Sequence, residues 1–104
     1  MSVEIHPFNE LYEGEAERLA LLLEEAGEVV QAVGKILRHG YESTHPDGGP
    51  TNRESLEREL GDMAAAIQMM TERRDVNAAF IRQCQREKLT KVAQYLHHQD
   101  SDDR

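Results

Sequence analysis

Residues 19–37 read LALLLEEAGEVVQAVGKIL. Apolar side chains fall at Leu19, Leu22, Leu23, Ala26, Val29, Val30, Val33, Ile36 and Leu37. These alternating steps of three and one belong to an α-helix that is apolar along one broad face. Followed outward, the pattern begins near Glu15 and stops at Gly40, which is preceded by Lys35, Arg38 and His39. Those bases suit the negative end of the helix dipole, and glycine suits the residue just past it. The stretch from Tyr41 to Asn52, YESTHPDGGPTN, is a loop by its Pro, Asp and Gly content. Thr51 and Glu54 match a capping box. The helix they open is expected to bury Leu56, Leu60, Met63, Ile67 and Met70 and to end near Arg73-Arg74.

A further helical stretch is expected from Asp75 or Val76, with Phe80, Ile81 and Cys84 along its first half and Leu89, Val92, Tyr95 and Leu96 along its second. The two sets are rotated relative to each other, which predicts a kink or break near Gln85. Pro7 limits any helix before residue 12, and the polar tail 97–104 is expected to fray. A short loop between two long amphipathic helices predicts an antiparallel hairpin. The expected fold is therefore all-α: one domain over residues 1–104 with its core at about 15–96, a helical hairpin plus C-terminal helix. Both hairpin helices carry apolar faces wider than one small monomer covers. A four-helix bundle completed by oligomerisation, as a homodimer or homotetramer, follows as an expectation.

Composition narrows the function. The net charge of −8 is uneven: residues 1–72 hold 15 acids and 5 bases, residues 73–104 hold 5 acids and 7 bases. Most of this surface repels a polyanion, so duplex nucleic acid is not an expected partner. A small anion carried by a divalent cation remains compatible, because the ion reverses the local sign. The single cysteine, Cys84, excludes an internal disulfide and a cysteine-rich zinc site, and reads as a small apolar residue of the interior in preference to a nucleophile. No apolar run reaches the ~18 residues of a membrane span, and no basic-then-apolar leader opens the chain. A cytoplasmic protein without a membrane partner is expected.

Two tetrapeptides repeat one pattern of acid, apolar residue, glycine, acid: Glu25-Ala26-Gly27-Glu28 and Glu59-Leu60-Gly61-Asp62. Acid pairs three apart occur at four other places, Glu10/Glu13, Glu54/Glu57, Glu72/Asp75 and Asp100/Asp103, so the spacing alone carries little. Position distinguishes the two. Glu25 and Glu59 border the apolar faces of their helices, and their rows continue into Ala32 and Ala66. Carboxylates gathered at a helix seam repel one another and raise each other's pKa unless a cation neutralises them. No His or Arg shares these rows. An all-carboxylate set suits Mg²⁺, with Mn²⁺ as an alternative, over Zn²⁺. A bundle di-iron site would require Glu-x-x-His on two helices, which is missing here. Gly27 and Gly61 let an ion, a substrate or a facing helix come close to the backbone. The contrasting reading makes the acids a solvated face of a non-catalytic helical interaction module.

At these residues the chain resembles the MazG-like nucleoside triphosphate pyrophosphohydrolases, an all-α superfamily that includes dimeric dUTPases and phosphoribosyl-ATP pyrophosphatases. The signature of E-x-x-E on one helix and E-x-x-D on the next reads here EEAGE at 24–28 and ELGD at 59–62, and the likeness extends over about 15–96. The resemblance implies Mg²⁺-dependent cleavage of an NTP or dNTP to the monophosphate and pyrophosphate. It puts Glu25, Glu28, Glu59 and Asp62 at the metal-ligand positions. Glu24 becomes a candidate water-orienting base or second acid, or else a plain surface glutamate. Arg82, Arg86, Lys88 and Lys91 are candidates to meet phosphate oxygens, or else a solvated face. His39 and Tyr41 flank Gly40, where either can stack on or hydrogen-bond to a base. His39 also serves as a helix-end cap. Thirty residues, 29–58, separate the motifs, more than in compact members, and the excess lies in the 41–52 loop. A phosphoribosyl-ATP pyrophosphatase is the alternative with the same fold and metal.

Overall fold

The computed structural model describes residues 8–99. Among them the structure is entirely helical, with α1 at Glu13–His39, α2 at Asn52–Glu72 and α3 at Ala78–Val92. Pro7 and the last part of the expected frayed tail lie outside the described residues.

α1 begins two residues before Glu15 because Glu15 itself works as a cap: its carboxylate accepts the Tyr12 N–H at 2.8 Å. It ends where Gly40 turns to φ +88°, a left-handed backbone that glycine adopts without strain. α2 opens on the capping box. The Glu54 carboxylate accepts the Thr51 N–H at 3.0 Å, and the Thr51 hydroxyl accepts the Glu54 N–H at 3.1 Å. α3 starts at Ala78, later than Asp75 or Val76, because the Asn77 side chain caps it by accepting the Phe80 N–H at 2.9 Å.

α1 and α2 form an antiparallel hairpin whose register is pinned at both ends. At the loop, the Asn52 side-chain amide donates to the Gly40 carbonyl at 3.0 Å. At the open end, the Arg18 guanidinium grips Asp75 through both carboxylate oxygens, with the Nη2–Oδ1 contact at 2.9 Å. A bidentate Arg–carboxylate fork is directional as well as strong, so it fixes where the end of α2 lies along α1. Between these pins the seam is built from small residues: Ala32 and Ala66 are buried, with Met70 nearby. Alanines at the contact bring the two backbones close, which decides how near their carboxylates stand.

Several expectations are corrected. α3 runs unbroken through Gln85. It contains no Pro or Gly, and a rotated apolar set does not by itself break i→i−4 hydrogen bonds. α3 also barely touches the hairpin, so Phe80 and Leu89 are exposed and Cys84 lies at the surface, not in the interior. Leu60 is about half exposed, since the α1–α2 seam runs along Ala66 and Met70 on a different part of the helix. On α1, Leu23, Val30 and Leu37 are 76%, 71% and 82% exposed. Their seven-residue spacing forms a second apolar stripe with no helix packed against it among the described residues. The radius of gyration is 18.1 Å, against about 13 Å for a compact domain of this length.

Candidate metal centre

Antiparallel pairing sets Glu25 and Glu28 of α1 opposite Glu59 and Asp62 of α2, and the small residues of the seam let the four converge. One carboxylate oxygen from each lies within 4.8 Å of the others, a spacing that one cation or a pair can bridge. Glu25, Glu28 and Glu59 are half-buried and Asp62 is exposed, so the cluster is walled by the seam and open on one side. Its electrostatics are unrelieved. Among the described residues the ion pairs are Arg18–Asp75 and Arg53–Glu42, with a His45–Asp47 contact that is ionic only when the ring is protonated, and none reaches the cluster.

The consequence shows in the acids themselves. The Glu25 carboxyl is raised above the ordinary carboxylate range, first by burial and then by the charges of Glu28, Asp62 and Glu24. Glu28 is raised mainly by hydrogen bonding with Glu59 and by its charge, with burial and Asp62 adding to it. Two oxygens, Glu25 Oε2 and Glu59 Oε2, are buried without any hydrogen-bond partner. Native structures rarely leave buried polar atoms unpaired, and an ion is a common reason when they do. Hard oxygen donors, crowded and uncompensated, fit Mg²⁺ or Mn²⁺.

A sequence model described as the MazG nucleotide pyrophosphohydrolase domain matches residues 13–91, which takes in all three helices except the last residue of α3. The chain belongs to the MazG family. No curated protein and no solved structure matches it. As a MazG-family chain it carries a nucleotide pyrophosphohydrolase-type domain, and the matched residues take in the whole acid cluster.

The other sequence-derived residues are dispersed. Glu24 is exposed beside Glu25 and bears on the site through its charge. Arg82, Arg86, Lys88 and Lys91 are exposed on α3, away from the hairpin within this chain. Tyr41 carries the Arg53 guanidinium 4.2 Å above its ring, and Arg53 also donates to Glu42 at 2.8 Å. Gly27 and Gly61 face open space, since an added Cβ meets nothing within 4 Å. The facing helix of the hairpin therefore approaches neither. Sequence reasoning missed Lys35, Asn52 and Ser55, which join Glu28, Glu59 and Ala32 around a 270 Å³ cavity beside the cluster. A signal for Lys35 existed: it lies seven residues past Glu28 on the same helix face. Its place in the last turns of α1 pointed instead to the helix dipole.

Among the described residues, no helix is long and apolar enough to cross a membrane.

Proposed function

We propose that this chain is a Mg²⁺-dependent pyrophosphohydrolase that cleaves a nucleoside triphosphate, NTP or dNTP, to the monophosphate and pyrophosphate. The observation that carries the proposal is the convergence of four carboxylates with two buried oxygens left unpartnered. Glu25, Glu28, Glu59 and Asp62 hold the divalent metal. When bound, the metal binds phosphate oxygens and makes a water a stronger nucleophile near neutral pH. The half-buried walls of the cluster limit competing water around those groups. Glu24, exposed beside Glu25, is the candidate to orient the attacking water and take its proton. His39, in the last turn of α1, is a candidate contact to the nucleoside, and Tyr41 supports it by holding Arg53 across the loop.

The cations of α3 reach phosphate oxygens only if α3 meets a hairpin other than its own, so the working unit is a homo-oligomer. The unpartnered stripe supports this. Gly27 and Gly34 fall between Leu23, Val30 and Leu37 on the same side of α1, and glycines there let a second helix come close. Residues 1–104 then act as one domain within that assembly, on a cytoplasmic nucleotide substrate.

The test is pyrophosphate release from a panel of NTPs, dNTPs and phosphoribosyl-ATP, with and without Mg²⁺, for wild type and Glu59→Gln. Metal-dependent release by wild type, reduced at least about a hundredfold in Glu59→Gln with the helical signal intact, is expected. Release from phosphoribosyl-ATP alone would move the substrate to that compound. Silence across the panel at every metal concentration would leave a non-catalytic helical module.

A further inference from the structure

The cavity beside the carboxylates adjoins a second one, with Lys35 and Asn52 lining both. The second, of 480 Å³, lies between the end of α1 and the 41–52 loop, where Arg38, His39, Thr44 and His45 contribute to its wall. Together they fall within the ~300–1,000 Å³ typical of small-molecule sites. The loop wall is held in place rather than left to form around a ligand. The Asn52 N–H donates to the Ser43 carbonyl at 2.9 Å, and the Arg53 N–H to the Tyr41 carbonyl at 2.8 Å. At the tip, the Gly48 N–H donates to the His45 carbonyl at 2.8 Å, and Gly48 and Gly49 take φ +90° and +114°. The Asp47 N–H donates to His45 Nδ1 at 3.1 Å, which orients that ring.

We propose that this loop cavity takes the nucleoside half of the substrate, and that Lys35 at the junction contacts the phosphate attached to it. The inference rests on the metal-centre reading above, which sets the phosphates at the carboxylates. Two observations set the direction. Lys35 follows Glu28 by two helical turns, roughly 10 Å along α1, and lines both cavities, so it lies between the acid cluster and the loop. Beyond it the cavity reaches the end of α1, where the carbonyl dipole partly offsets the charge of Arg38, and its other wall is the uncharged loop surface around Ser43, Thr44 and Pro46, which suits a base or sugar. The hydroxyl, imidazole and amide groups of Thr44, His45 and Asn52 supply donors and acceptors of the kind that read a base edge or a sugar hydroxyl. The loop is thus a specificity-determining element, and the remaining phosphates run from the junction towards Glu25 and Asp62.

The test compares wild type with Thr44→Val, His45→Ala and Lys35→Gln, all at or near the surface, with thermal melts confirming that each folds. Two readouts are used: kcat/KM across the eight common NTPs and dNTPs, and calorimetric affinity for nucleoside monophosphates and for inorganic pyrophosphate. A loop variant that changes the kcat/KM ratio between two bases or sugars by about threefold or more, and weakens monophosphate but not pyrophosphate binding, supports the proposal. Lys35→Gln is expected to weaken every nucleotide alike, by about tenfold. Unchanged ratios and monophosphate affinities in both loop variants overturn it, as does loss of pyrophosphate affinity alone, which would make the cavity a phosphate subsite. If wild type releases no pyrophosphate at all, the pyrophosphohydrolase reading fails. The calorimetric arm still decides the cavity: monophosphate binding weakened by His45→Ala upholds it, and binding that is absent or unaltered overturns it.

Discussion

At the scale of single residues, the chain carries two carboxylate arrangements with opposite pH signatures. Asp75 is pulled below its ordinary value of 3.8 chiefly by hydrogen bonds from Arg18, so its stabilising contribution is present above that value and lost as pH falls through the depressed one. Glu25 and Glu28 are pushed above their ordinary 4.5. Their contribution is full below 4.5, where both are protonated, and is lost as pH rises through the raised values. The metal-free protein should therefore melt at a lower temperature at pH 7 than near pH 4.5, and saturating Mg²⁺ should remove most of that difference. Melting curves at the two pH values, with EDTA or Mg²⁺, check this. A metal-free protein that is more stable at pH 7, or no effect of Mg²⁺, contradicts it. The carboxylates of this cluster were legible in the sequence because Glu25 and Glu59, unlike the other acids spaced three apart, border the apolar faces of their helices on rows that continue into Ala32 and Ala66. Lys35 was not, because a base in the last turns of α1 suits the helix dipole equally well, and its place beside Glu28 and Glu59 shows only in the cavity lining.

Among the elements, the hairpin was readable because its punctuation is local. Gly40, the Pro/Gly-rich loop and the Thr51–Glu54 box each act within a few residues, and each appears in the structure where the chemistry requires it. Thr51→Ala removes a hydroxyl that accepts the Glu54 N–H and should cost about 1 kcal/mol. That corresponds to a fall of roughly 4–8 °C in Tm for a domain of this size. A melt unchanged within error would show that the cap contributes nothing. Less local features escaped. α1 is apolar on two stripes, one through Ala32 at the seam and one through Leu23, Val30 and Leu37 in the open. Periodicity sums them into one broad face and cannot say which part meets α2. The placement of α3 escaped for the same reason: its apolar residues identify a helix that needs a partner but not which partner.

Across the whole molecule, an acidic hairpin, a basic third helix held away from it and an extended shape belong to one account. A small domain that buries little apolar surface is commonly stabilised by association. In the homo-oligomer proposed above, the open stripe on α1 is the contact. Val30→Glu puts a charge at the centre of that stripe, on a side chain already 71% exposed, so the hairpin itself is not strained. Sedimentation should show wild type as a dimer or tetramer and Val30→Glu shifted to monomer, with helical content retained. An oligomer indifferent to this change would place the contact elsewhere.

The central claim is that two acid pairs on two helices make one metal centre, and metal binding tests it without reference to any substrate. Mn²⁺ titrated into the protein and followed by electron paramagnetic resonance should show saturable binding that Mg²⁺ displaces. In Glu28→Gln/Glu59→Gln, one residue changed on each helix, that binding should be weakened by at least about tenfold. The Glu54→Gln/Glu57→Gln double variant, altered in an acid pair outside the cluster, should bind as wild type does. Equal Mn²⁺ affinity in all three proteins would contradict the account.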